Sequence, residues 1–200
     1  MEHRAPKEYV LEIFADQTFV KDIVKAVLHT IFFHRYFPPI RPSLRDLPQL
    51  DITLPYIADP PEIETLIDTR TTALVHQLTS ADTPNGGVRG QIAIQFFEKR
   101  RRKTGGWLGG IGRGADEEVC WEEWLLEVTI AKPKTESERT KLRRAMESSL
   151  QKTAMKILAI VNRDKDHIPP ITTHDANPFP YQLVLNPKQE GYGHRFGSWN

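Results

Sequence analysis

The sequence predicts an α+β domain with an antiparallel sheet packed by helices, on three observations. Two strand-like segments flank a glycine-rich stretch and read as one long hairpin. Three other segments carry helical periodicity, two of them behind strong capping signals. The predicted order is strand, helix, loop with a short strand, helix, hairpin, long helix, strand. Strands and helices therefore do not alternate as repeated crossover units would require.

Residues 9–14, Tyr-Val-Leu-Glu-Ile-Phe, form the first predicted strand, and Asp16 is placed to cap a helix over 17–36. Phe19, Ile23, Val27 and Ile31 make one apolar stripe of that helix, and Val20, Val24, Leu28 and Phe32 the adjacent one. So wide an arc predicts a central, largely buried helix. It must stop before Pro38 and Pro39, because the residue preceding a proline is pushed out of the helical region. Residues 37–50 hold four prolines and read as a loop, with a short strand over 51–57. Asp59, Pro60, Pro61 and Glu62 then signal a helix start, the helix running to about Thr79 with Ile63, Leu66, Ile67, Arg70, Leu74 and Leu78 at helical spacing.

After a turn at 84–87 comes the hairpin. Ile92, Ile94 and Phe96 share one face of its first strand, 91–98; Trp124, Leu126, Val128 and Ile130 share one face of its second, 124–130. Between the strands lie the basic run Lys99, Arg100, Arg101, Arg102 and Lys103 and a tip holding six of the twelve glycines together with Trp107, Leu108 and Ile111. Glycine loses more backbone entropy on ordering than any other residue, so this tip favours neither helix nor ladder. Large apolar side chains on such a tip point to a surface kept for a partner or a membrane. Thr135 and Glu138 form a capping box for a helix reaching Asn162, roughly 40 Å long, with Leu142, Met146, Leu150, Ile157, Leu158 and Val161 inward. A last strand spans 181–185, and 186–200 reads as a loosely held tail. The predicted core includes Ile23, Val27, Ile31, Ile94, Trp124, Leu126, Met146 and Leu150.

Two hundred residues suit one domain with a core of useful size, and a net charge of +1 with 26% charged residues gives no global field for nucleic acid. The polar N-terminus and the lack of a run of ~20 apolar residues predict a soluble, intracellular protein. Cys120 is the single cysteine; its acidic neighbours raise rather than lower a thiol pKa, so it reads as a core filler beside Trp121. The glycines at 110–114 superficially resemble a dinucleotide fingerprint, but Asp116, Glu117 and Glu118 follow where a pyrophosphate would sit. His29 and His34 project about 140° apart on a helix and cannot share a metal. His167 and His174, with Asp164, Asp166 and Asp175, read as a solvated loop. No cofactor, metal site or catalytic group is expected.

The segments 24–35, 90–97 with the basic run and Trp107, Trp121-Glu122-Glu123-Trp124, and Glu136-Ser137-Glu138-Arg139 with 160–163 together resemble the autophagy-related protein 101 family over about residues 8–185. The resemblance implies a single HORMA domain over 1–185 that pairs with the HORMA domain of autophagy-related protein 13, the scaffold of the autophagy-initiation complex. It also implies a non-enzymatic, cytoplasmic protein recruited to the preautophagosomal structure. In animal members a tryptophan and a phenylalanine on the hairpin tip form a finger for downstream autophagy factors. Trp107 matches the tryptophan; Leu108 and Ile111 stand near the position of the phenylalanine. The alternative is a peripheral module in which Lys99, Arg100, Arg101, Arg102 and Lys103 meet an anionic membrane surface while Trp107, Leu108 and Ile111 dip into the interface.

Overall fold

The structure is a computed structural model, and it describes residues 5–80, 88–101 and 116–187. Its elements are β1 (Lys7–Asp16), α1 (Val20–Arg35), β2 (Ser43–Leu47), β3 (Ile52–Tyr56), α2 (Pro61–Ser80), β4 (Val88–Arg101), β5 (Asp116–Ala131), α3 (Glu136–Arg163) and β6 (Tyr181–Leu185). Four strands form one sheet in the order β1-β5-β4-β6, and β2 and β3 form a second. This is the expected α+β architecture with a dominant hairpin and three helices, and it is compatible with a HORMA-like fold.

One pairing differs from expectation. The sheet is antiparallel across β5, β4 and β6, but β1 joins β5 in parallel, Tyr9 opposite Trp124 and Ile13 opposite Val128. Period-2 patterning fixes which face a strand buries, not the direction of its neighbour. The free edge of β1 is closed by α3: the Thr153 hydroxyl donates to the Glu12 carbonyl and the Lys156 ammonium to the Val10 carbonyl. An edge strand whose carbonyls are already engaged is a poor template for another chain.

The eight residues named as core are all buried, from Ile23 and Val27 on α1 to Met146 and Leu150 on α3, whereas Cys120, expected as a core filler, is only half-buried because it lies on the part of β5 that extends past β1. The central helix α1 buries eleven of its sixteen residues. It begins three residues later than expected, because the Asp16 carboxylate accepts from the Thr18 and Phe19 amides and so closes a turn before the helix. In α2 the inward position falls to Thr71 and not to Arg70, which is exposed, and on α3 Leu158 is only half-buried. The box at Thr135 is present: its hydroxyl accepts from the Glu138 amide while the Glu138 carboxylate accepts from the Thr135 amide.

Within the expected loop 37–50 lies β2, which pairs with β3 in register from Ser43↔Tyr56 to Leu47↔Ile52. Its composition carries no alternation, so its order comes from pairing and from contacts such as Asp46 accepting from the Thr53 hydroxyl. Asn186, expected to open the tail, is instead tied down. Its amide donates to the Gln91 carbonyl, its side-chain oxygen accepts from the Gln91 amide, and its Nδ2 donates to Gln77. The rest of the expected tail, 188–200, lies outside the described residues.

Candidate functional site at the base of the hairpin

The lengths of the strand pairings decide what the hairpin presents. β1 pairs with β5 only from Glu122 onward, and β6 pairs with β4 only as far as Phe96. Beyond those points, Phe97 to Arg101 and Asp116 to Cys120 continue as a ribbon of two strands. The rungs Lys99↔Glu118, Arg100↔Glu117 and Arg101↔Asp116 set three residues of the basic run opposite three acids. Opposite charges facing across an antiparallel pair stabilise it by roughly 0.2–1 kcal/mol each. The first three basic residues are thus part of strand β4, which was expected to end at Glu98, rather than of the loop beyond it. Lys99 also bridges to Asp175 at 3.0 Å, and Arg100 pairs with Glu98. Arg102, Lys103, Trp107, Leu108 and Ile111 lie outside the described residues.

Where the ribbon leaves the sheet, the register shifts between Phe96 and Phe97, so that Trp121 is an extra residue on β5. Such a bulge breaks the strict alternation of faces. As a result Trp121 and Glu122 are both buried although adjacent. Glu122 has the parity of Trp124, Leu126, Val128 and Ile130 and enters the core with no exposure at all.

A carboxylate there must be fully hydrogen-bonded to remain tolerable. Arg35, at the end of α1 and 3% exposed, donates Nε to both Glu122 oxygens at 2.8 and 3.1 Å. Trp124 donates its indole N–H to Oε1, and His167 Nε2 lies 2.6 Å from Oε2. Arg35 and Trp124 both donate to this carboxyl, so it acts as an acceptor and the imidazole nitrogen is placed to donate to it. Arg35 spends Nη2 on the Asp164 carbonyl, while the Asp164 carboxylate accepts from the Tyr9 hydroxyl. Burial first, and then the Asp164 hydrogen bond, push the Tyr9 phenol well above its usual range. Arg163, followed by the Tyr9 hydrogen bond, brings the Asp164 carboxyl down to about 2.

The segment between α3 and β6 is anchored by this cluster and continues across the hairpin base. Trp121 meets His167 and Phe179, the Phe97 amide donates to the Pro180 carbonyl, and Lys99 reaches Asp175. His167 is therefore not part of a solvated loop, as its polar neighbours led us to expect; its side chain is 8% exposed and held by Glu122. The missed signal was parity: Glu122 stands two residues before Trp124, on the apolar face of a strand.

The other candidate groups are structural. Burial, with Glu123 behind it, lifts the Cys120 thiol to about 11, which favours the thiol over the reactive thiolate at neutral pH. His29 packs at 3.9 Å on the Tyr56 ring, its Nδ1 accepts from the Ile57 amide, and burial lowers its pKa to about 3. Among the described residues, no helix is long and apolar enough to cross a membrane.

The hairpin, the long capped helix and the closing strand all fall in or beside a stretch shared with known proteins. A family model described as autophagy-related protein 101 matches residues 12–175. The chain is 28% identical to autophagy-related protein 101 of Arabidopsis thaliana, covering 90% of this chain and 84% of the relative. It is 26% identical to the Schizosaccharomyces pombe protein of that name, covering 92% and 89%, and 24% identical to the Xenopus tropicalis protein, covering 87% and 85%. With the matched stretch running from β1 to the segment before β6, the chain belongs to the autophagy-related protein 101 family.

Proposed function

We propose that this protein is a non-catalytic adaptor of the autophagy-initiation complex, which pairs with the HORMA domain of autophagy-related protein 13 and presents residues 102–115 to downstream autophagy factors. Membership of the family supports an autophagy-related role. The observation that carries the finer reading is the ribbon from Phe97 to Arg101 and Asp116 to Cys120, which no other strand accompanies among the described residues and which precedes and follows the glycine-rich tip in the sequence. A two-stranded ribbon paired in register through Arg101 and Asp116, with its base anchored in a buried ion cluster, is a stiff mount for Trp107, Leu108 and Ile111. A tryptophan seated in a partner pocket commonly contributes about 2 kcal/mol or more to binding. The protein would act in the cytoplasm and at the preautophagosomal structure.

A membrane reading is weaker, since three of the five basic residues, Lys99, Arg100 and Arg101, stand in register with Glu118, Glu117 and Asp116. Light scattering on the chain mixed with the scaffold's HORMA domain should give a one-to-one complex at micromolar concentration. Trp107→Ala should leave that complex and the melting temperature unchanged while abolishing recruitment of later factors. Loss of folding in Trp107→Ala would return the residue to the core, and flotation of the wild type with anionic vesicles would favour the membrane.

A further inference from the structure

The three helices cover one side of the sheet: Leu74 and Leu78 of α2 crowd Gly90, and the inward residues of β1, β4 and β5 join one core with α1 and α3. On the other side the registers assemble an ordered pattern. Val10 pairs with Leu125, Leu125 with Ala93, and Ala93 with Val184, so one apolar row crosses all four strands. Two residues to one side, Glu8, Glu123, Gln95 and Gln182 line up; two residues to the other side stand Glu12, Glu127 and Gln91, the last bound to Asn186. Val10 is 44% exposed and Phe14, beyond Glu12 on the same face of β1, 36%; Leu125 and Val184 are half-buried, and the small Ala93 side chain lies buried between its neighbours.

The acids in these rows work against the fold. Glu8 faces Glu123 and Glu12 faces Glu127 directly across β1 and β5, an arrangement that destabilises a strand pair. Gln95 donates to Glu123 and Gln91 to Glu127. No cation bridges any of the four carboxylates among the described residues. Glu122 on the other face is instead met on both oxygens, by Arg35, Trp124 and His167.

We propose that this outward face docks a basic amphipathic α-helix from a partner protein, lying across the strands with its apolar stripe on Val10, Leu125 and Val184, over the small, buried Ala93. Dimensions and charge select that occupant. The two polar rows are four residues apart along each strand, about 13 Å at ~3.3 Å per residue, and a helix with its side chains is about 10–12 Å across. Three strand spacings of about 4.8 Å make the apolar row roughly 14 Å long, the rise of about ten helical residues. Lysines or arginines on both flanks of the stripe, at the end lying over β1 and β5, would sit between acids of which Glu123 and Glu127 now receive only glutamine amides among the described residues. Beside the row, a depression of about 600 Å3 is bounded by Glu12, Phe14, Glu127 and Ser149, with Arg89 as the cation on its lining, so that a partner's cations belong at the Glu12–Glu127 side of it.

The test uses the full chain and a synthetic 14-residue helical peptide with leucine and alanine on one face and lysine on both flanks, against the same peptide with glutamate for lysine. Fluorescence anisotropy should show binding of the lysine peptide only, and amide shifts should move along β1 and β5 around Val10 and Leu125. Glu12→Gln with Glu127→Gln should weaken binding at least tenfold; Glu117→Gln with Glu118→Gln, the same charge change on the ribbon, should not. Equal loss in both double variants, undiminished binding in the first, or shifts elsewhere would overturn the proposal. So would a concentration-dependent dimer abolished by Glu12→Gln with Glu127→Gln, which would assign the face to a second copy. Much tighter peptide binding by a chain ending at Pro187 would overturn it in favour of the chain's own C-terminal residues.

Discussion

Glu122 and Glu127 sit five residues apart on β5, and their odd separation puts them on opposite faces of the sheet. Glu122 has no exposure and is met by Arg35, Trp124 and His167; Glu127 is half-buried, receives one amide from Gln91 and faces Glu12. The same side chain on the same strand is thus a structural anchor on one side and a carboxylate answered only by a glutamine amide on the other. Desolvation sets the difference: a buried carboxylate must be answered within the chain, whereas a solvated one can wait for a partner at little cost.

Removing the buried member should have the largest effect. Glu122→Ala strands the Arg35 guanidinium in the core, and chemical denaturation should show a loss of about 3–5 kcal/mol. If Glu122→Ala melts like the wild type, the cluster is not an anchor and the comparison collapses. A cycle sharpens it: Arg35→Met combined with Glu122→Leu should lose less stability than the two single variants added together, because the penalty of each single variant is largely the partner left unpaired.

On the same inner side, Leu150→Ala should lose on the order of 2–5 kcal/mol and Val27→Ala somewhat less, since both are buried among α1, α3 and the sheet. These aliphatic losses should be independent of salt, which separates them from the ionic cluster in denaturation series at low and high ionic strength.

A titration separates the inner groups further. His29 has a folded pKa of about 3 against 6.5 unfolded. As pH falls the unfolded chain takes up the proton first, so the contribution of neutral His29 is fully present above about pH 6.5 and fades toward pH 3. His34, also lowered by burial, adds to the same limb. Stability measured between pH 6.5 and 4.5 should decline in the wild type and decline less in His29→Gln. An unchanged slope would show that His29 is not buried neutral.

The smallest effect belongs to the outer face. Glu12→Gln with Glu127→Gln should leave the melting midpoint within about 0.5 kcal/mol of wild type or slightly raise it, because a like-charge pair is removed. A clear destabilisation would mean that these carboxylates serve the fold after all.

Local rules account for what could be read along the chain. The Thr135–Glu138 box, the wide apolar arc of α1, the alternation in β4 and β5 and the proline stop after α1 each depend on residues within a few positions of one another. The inward residues from Ile23 to Leu150 followed from those periods alone. The family resemblance likewise rested on the order of segments in the sequence. Other features needed distant partners. Arg35 meets Glu122 across 87 positions and His167 meets it across 45, so neither showed in a local pattern. β2 is a strand because β3 lies beside it, and β1 runs parallel to β5 because the chain returns that way. The row of Val10, Leu125, Ala93 and Val184 exists only once four strands are in register. Sequence by itself determined which face of each element avoids water, because hydrophobic periodicity is local; tertiary structure alone decided which charges meet, because Coulomb and hydrogen-bond partners are chosen by proximity in space.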